Sequence, residues 1–334
     1  MDTFRFNRAP TIDQAIQSAA QSTTAQQGAE VRFVAGGTTL IDLMKLTVER
    51  PKEVVDINGL ALDRIESTPT GGLIIGALAR NADVAHHPTV QRDFAVLSQA
   101  LLSGASPQLR NMATTGGNLL QRTRCVYFRD TAHACNKREP GTGCSAIGGH
   151  NRMLAILGTS RDCIATNPSD QNVALTALEA TIQIQGTKGR RSVPITAFYL
   201  LPGSTPQRET VLEPGDIITS VTLPAPVPGT RSLYLKLRDR AAYEFALASA
   251  AIVVSVDNGK IRHARVALGG VGTRPWRSLE AEAVLQGHAA DSATFRKAAD
   301  AALKDAHPAS ENGFKVELSK RCLVRALTMS VKTA

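Results

Sequence analysis

Four of the five cysteines in this 334-residue chain fall within 39 residues, at Cys125, Cys135, Cys144 and Cys163. Thiolates bind soft metals and iron–sulfur clusters, so this crowding is the first place to look for chemistry. The intervals, C-x9-C-x8-C-x18-C, lack the close cysteine pairs of zinc fingers and ribbons and the short repeats of bacterial ferredoxins. Four thiolates still suit Zn²⁺, [2Fe–2S] or [4Fe–4S]. A disulfide framework is the weaker explanation, because the count is odd and "MDTFRFNRAPTIDQAIQ" does not read as a signal peptide. Residues 122–161 hold Arg122, Arg124, Arg129, Lys137, Arg138, Arg152 and Arg161 against two acids, a net charge of +5. Arg124, Arg129, Lys137 and Arg138 are therefore expected to stabilise an anionic centre and favour its reduced form. His133 and His150 share this loop and could ligate, but four thiols already suffice. Cys322, in an alanine-rich tail, reads as a small structural hydrophobe.

Two glycine turns could hold a second group. "FVAGGTTLIDLMK" reads as a strand, a tight Ala35-Gly36-Gly37 turn, then Thr38 and Thr39 opening a helix. Bare backbone N–H groups, a helix start and hydroxyl donors form an anion nest suited to a pyrophosphate. The turn matches neither the dinucleotide-binding fingerprint nor the P-loop, and an unliganded strand–turn–helix junction could use the same residues. "NMATTGGNLLQRTRC" repeats the theme with Thr114, Thr115, Gly116, Gly117 and Asn118, just before Cys125. A third polar turn, "ATNPSD", follows Cys163. Ligand-like turns therefore bracket the thiols.

The elements that must position these residues read as mixed α/β. The helix candidates are 11–21, 38–46, 95–105 and 171–180, the first with Thr11 as N-cap, and His86-His87-Pro88 marks a helix end. The strand candidates are 31–37, 53–58, 72–78 and 181–186. "LPAPVPGT" (223–230) marks a boundary. Beyond it "SLYLKLR" and "IRHARVALGGVG" read as strands, "ALASAAIVVSV" as a buried helix or strand, and the tail as helical. An α+β fold with domains at 1–223 and 230–334 is expected. The net charge of +9 admits nucleic acid as a partner, but aromatics at 4% leave few stacking platforms. No run of apolar residues reaches membrane-spanning length, so no membrane insertion is expected. No serine–histidine–aspartate order or carboxylate pair points to a hydrolase.

"FVAGGTTLIDLMKL", "DINGL", "IGALAR", "ATTGGNLLQRTRC" and "YLKLRDR…ALGGVGTRPWR" together resemble the FAD-binding medium subunit of the xanthine dehydrogenase and molybdenum hydroxylase family, over nearly the whole chain. Within that family the resemblance is strongest to the flavin subunit of bacterial periplasmic aldehyde oxidoreductase, a three-subunit enzyme. That subunit carries a cysteine-rich insertion for a [4Fe–4S] cluster. The resemblance implies a vanillyl-alcohol-oxidase-type FAD domain at 1–223, with the insertion at about 122–165, and a CO-dehydrogenase-flavoprotein-like domain at 230–334. It implies that Val34, Ala35, Gly36, Gly37, Thr38, Thr39, Leu40 and Ile41 hold the FAD pyrophosphate. Ile57 packs near the adenine, and Thr114, Thr115, Gly117 and Asn118 contact the dinucleotide. Asp170 matches the family's aspartate after that motif, and Lys236 its lysine near the flavin ring. The family's second motif has an apolar residue where this chain has Thr115. Cys125, Cys135, Cys144 and Cys163 become the ligands of [4Fe–4S].

The implied activity is electron transfer inside a molybdenum-dependent aldehyde oxidoreductase. The chain sits in a heterotrimer with a large molybdopterin-binding subunit and a small [2Fe–2S] subunit, and passes electrons through FAD to an external acceptor. The flavin subunit of a 4-hydroxybenzoyl-CoA-reductase-like or other molybdenum hydroxylase, and a four-cysteine zinc module binding nucleic acid, are the alternatives. The chain shows no signal of its own, so the implied location is the cytoplasm, or the periplasm by co-export with a partner.

Overall fold

The computed structural model describes residues 1–332. The N-terminal strands Arg5–Arg8, Glu53–Asp56 and Val31–Val34 form a small sheet, parallel throughout, with Glu53–Asp56 in the middle. The helix Ile12–Ala19 makes the crossover between two of these strands, capped by Thr11, whose hydroxyl accepts from the Gln14 N–H. A five-stranded antiparallel sheet follows, ordered Ile65–Ser67, Leu73–Gly76, Ile217–Leu223, Thr181–Gly186 and Gly189–Pro194. Its strand Thr181–Gly186 buries every second residue, as the alternation in "TIQIQG" predicts.

A third sheet is antiparallel and ordered Trp276–Arg277, Lys260–Gly269, Ala248–Asp257 and Arg231–Leu237. The ambiguous "ALASAAIVVSV" is its strand Ala248–Asp257, and the reason is burial on both faces. Ala250, Ile252 and Val254 pack into a core with the helices Ser292–Ala302 and Phe314–Lys332. Ala251 and Val253 face the other way, into a core shared with Val173, Leu175 and Phe198. A strand covered on both sides has no polar face, so its sequence shows no alternation. The sheet that begins at Arg231 thus completes the core of the residues before Leu223.

All four expected helices are shorter than their spans: Ile12–Ala19, Leu40–Lys45, Ala95–Ser103 and Asp170–Ala177. Leu40–Lys45 has Thr39 at its cap position with no capping side-chain bond, and Asp170–Ala177 stops before Glu179, whose φ is +54°. His86 does end a helix, and Pro88 begins the next.

From residue 130 to 169 the chain has neither α-helix nor extended strand; isolated bridges pair Cys135 with Cys144 and Leu157 with Gly272. This segment is held by long-range bonds. Ile156 and Leu157 N–H groups both bond the Val271 carbonyl, at 2.8 and 3.0 Å. Lys315, fully buried, donates to the carbonyls of Met153, Leu154 and Gly270. Burial pushes that amine down to about 7.

Candidate functional site: a glycine-walled cleft beside a four-thiol cavity

The two glycine turns meet. Gly36 lies against the end of the helix Pro107–Met112, where a Cβ would stand 1.9 Å from the Met112 carbonyl oxygen. Only glycine permits that approach. Gly37 follows at φ +73°, the left-handed turn that leads into the helix at Leu40. Side chains lock the junction: Asn58 Nδ2 donates to the Ala35 carbonyl at 2.9 Å, and Arg80 spans the Met112 carbonyl (2.5 Å) and Asn58 Oδ1 (3.1 Å). In the second turn Thr114 caps the short helix Thr115–Leu119, accepting from the Gly117 N–H.

Together the turns wall an open cleft of about 1810 Å³, its mouth included. Val34, Ala35, Gly36, Gly37, Thr38, Thr39 and Leu40 line it, as do Ile57, Thr114 and Gly117. The cleft fits a dinucleotide in kind: bare turn backbone and threonines from the first turn stand beside apolar Ile57 and Leu78 and a second run of turn backbone.

Five expected residues lie elsewhere. Ile41 points outward, 44% exposed. Thr115 is buried and donates its hydroxyl to the Ala79 carbonyl, which satisfies the polar atom where the family has an apolar one. Asn118 Oδ1 accepts from Ser169 Oγ at 2.7 Å, tying the second turn to the polar turn after Cys163. Asp170 and Lys236 form a buried ion pair at 2.8 Å, and neither lines the cleft. Asp170 instead lines an adjoining cavity that shares Thr123, Thr166, Asn167 and Pro168 with the cleft wall.

The four thiols converge. Cys125, Cys135, Cys144 and Cys163 line one small, tightly closed cavity, and all but Cys144 are buried. Gly141 and Gly143, at φ +89° and +99°, turn the chain so that Cys144 bridges back to Cys135. Burial pushes the Cys125 thiol up to about 11. It also raises Cys163, against the pull of the Lys137 ammonium. Cys163 Sγ accepts from the Ala165 N–H at 3.4 Å. Among the described residues no three His, Cys, Asp or Glu side chains come together as a single-ion site. Thiols are soft donors, the type that zinc and iron–sulfur sites use.

The basic residues of this loop divide differently from the expectation. Arg124 and Arg129 are taken up by Asp42, at 3.3 and 2.8 Å. Arg138 spends its guanidinium on the carbonyls of Tyr127 and Phe128. Of the four, Lys137 alone lines the thiol cavity. His133 packs edge-on against Tyr127, and His150 is exposed beside Glu311; neither lines the cavity. Cys322 is buried in the core of the third sheet, and burial pushes it up to about 12.

Sequence reasoning missed a buried charge network. Glu49 pairs with Arg32 (2.8 Å) and Arg122 (2.5 Å), Arg122 also with Glu209, and Glu209 with Lys137 (3.0 Å). Burial alone would raise Glu209, but Arg122 and Lys137 outweigh it and hold the carboxyl below its ordinary range. The network's Lys137, with Cys163 and Ala165, belongs to both the cleft wall and the thiol cavity wall. Residues so far apart in sequence give no local signal; a polar residue that no helix or strand pattern needs is the one hint.

Residues 2–226 match the FAD-binding domain in molybdopterin dehydrogenase, and residues 233–330 the CO dehydrogenase flavoprotein C-terminal domain. The chain is an FAD-binding medium subunit of the molybdenum hydroxylase family. It is 49% identical over 328 residues, 98% of each chain, to the aldehyde oxidoreductase FAD-binding subunit PaoB of Escherichia coli. The carbon monoxide dehydrogenase medium chain of Hydrogenophaga pseudoflava is 28% identical over 90% of each chain. Among solved structures, reconstituted CO dehydrogenase from Oligotropha carboxidovorans superposes with a TM-score of 0.77 over 100% of this chain and 99% of that one, at 24% identity, which speaks for the fold. The family is one of oxidoreductase subunits, and this chain is a flavoprotein within it. That membership removes the case for an isolated zinc module. Among the described residues no helix is long and apolar enough to cross a membrane.

Proposed function

We propose that the chain is the FAD- and [4Fe–4S]-carrying electron-transfer subunit of a molybdenum-dependent aldehyde oxidoreductase. In this reading a large molybdopterin partner converts an aldehyde and water to a carboxylic acid, releasing two electrons and two protons. A small [2Fe–2S] partner conducts the electrons, and this chain delivers them to an external acceptor. The heterotrimer and its substrate class are supported by the 49% identity to an aldehyde oxidoreductase FAD-binding subunit over 98% of the chain.

Bound FAD would supply two-electron storage and the cluster one-electron storage; the protein supplies position and electrostatics. Val34 to Leu40, Ile57, Thr114 and Gly117 would hold the dinucleotide along the cleft. Cys125, Cys135, Cys144 and Cys163 would hold the cluster. Each thiol must lose its proton to ligate, so loading has to overcome the burial that keeps Cys125 protonated.

The observation that carries the proposal is the wall common to both cavities, Lys137, Cys163 and Ala165, which leaves one residue's thickness between the cleft and the thiol cavity. The test is the visible spectrum of the anaerobically purified chain, with FAD, iron and sulfide assays. Flavin bands over a broad iron–sulfur absorption, with about four irons per FAD, are expected. Flavin without iron or sulfide would refute the cluster and leave an FAD subunit alone.

A further inference from the structure

Lys137 is the charged member of the wall shared by the cleft and the thiol cavity. Its side chain is 8% exposed. Its ammonium donates to the Pro206 carbonyl at 2.9 Å and to Glu209 at 3.0 Å. Glu209 continues to Arg122, Arg122 to Glu49 and Glu49 to Arg32, so three cations face two carboxylates in a chain along the cleft wall that ends at Lys137 beside the thiols. Arg122 and Glu49 are as deeply buried as Lys137. Burying so many charges is costly, and apolar side chains of like volume would pack this wall as well. What apolar side chains cannot supply is a fixed field.

We propose that Lys137 is a positioning residue for electron transfer: a buried cation that sets the reduction potential of the iron–sulfur cluster held by the four thiols, with Glu209 opposing it. The inference rests on the four-thiol reading above. One-electron reduction adds one negative charge to a centre that already carries thiolates. A cation fixed nearby in a low-dielectric wall stabilises the reduced form more than the oxidised form. Glu209, bonded to the same amine, does the reverse. Arg124 and Arg129 share Asp42 and Arg138 bonds backbone carbonyls, and none of the three lines the thiol cavity; Lys137, paired with Glu209, is the cation that does, and Asp162 is the acid that does.

The experiment is an EPR-monitored redox titration of the full chain, purified anaerobically, with iron and sulfide counted in each sample. Lys137→Met removes the charge and keeps the length. Its cluster is expected to show at least a tenfold lower ratio of reduced to oxidised form at a given potential, about 59 mV for a one-electron couple. Glu209→Gln is expected to shift the ratio the other way, and Lys137→Arg to leave it within about threefold of wild type. Opposite shifts from the two neutral variants are not produced by loosened packing, which would move both alike. Unchanged potentials in both, or shifts of the same sign, overturn the proposal. If Lys137→Met does not assemble its cluster, the sign of the Glu209→Gln shift decides alone. A wild-type chain without iron or sulfide overturns the four-thiol reading itself, a result distinct from an intact cluster with an unmoved potential.

Discussion

Gly36→Ala tests whether the junction of the two glycine turns holds the flavin. The added Cβ would stand 1.9 Å from the Met112 oxygen and 2.6 Å from its carbon, where real Cβ contacts do not fall below 3.0 Å. The turn and the end of the helix Pro107–Met112 must separate by about 1.1 Å. They cannot slide freely, because Arg80 and Asn58 tie the Met112 carbonyl to the Ala35 carbonyl through three hydrogen bonds. Overpacking of this kind costs about 1–3 kcal/mol. The displaced atoms are the backbone N–H groups of the proposed pyrophosphate nest, so the strain falls on binding as well as on stability. A loss of about 2 kcal/mol in binding corresponds to roughly 30-fold weaker FAD affinity. Titration of the apoprotein with FAD, followed by flavin fluorescence, measures it, and thermal unfolding of the apoprotein measures the remainder. Gly59→Ala is the control, since a Cβ there meets nothing within 4 Å. A Gly36→Ala chain that binds FAD within twofold of wild type at an unchanged Tm would refute the reasoning.

Cys135→Ser is expected to lose iron and sulfide while keeping FAD, measured by metal analysis and absorbance; loss of both together would mean that the loop, not the thiol, matters. Lys236→Met strands the Asp170 carboxylate in the core and should cost about 3–5 kcal/mol in urea unfolding, whereas Lys236→Met with Asp170→Asn should recover much of it. Glu209 is held below its ordinary value of 4.5, so its carboxylate stabilises the fold fully above that pH, and the contribution is lost as pH falls through the lower folded value. The stability gap between wild type and Glu209→Gln should therefore be flat near neutrality and narrow below pH 4.5. FAD at about 100 times its Kd should raise apoprotein stability by about 2.7 kcal/mol; no rise in Tm would argue against the cleft as the site.

The parts of the site that are local in the chain were legible in it. A tight glycine turn leading into a helix is recognisable because its conformation is dictated by its own residues; the Thr11 cap forms as read, whereas the cap expected at Thr38 or Thr39 does not. The thiols were legible as a group because no structural need crowds four of them among arginines. "ALASAAIVVSV" was not, because a strand covered on both faces loses the alternation that identifies it. The partners of Arg124, Arg129 and Arg138 were not legible either: composition counts charges, and only coordinates show that the first two share Asp42 and the third bonds backbone carbonyls.

By itself, then, the sequence determined which backbone could form a nest and which side chains could ligate, since both follow from residue type within a few positions. The tertiary structure decided what those parts face. It set the Gly36 turn against Met112, buried Thr115 and Asn118 away from the cleft, and paired Asp170 with Lys236. It also drew Arg32, Glu49, Arg122, Lys137 and Glu209 into one ion-pair chain along the cleft wall, with Lys137 reaching the thiol cavity. Buried charges find partners wherever the fold closes around them, because an unpaired ion in that medium is too costly to keep. No local pattern records that choice.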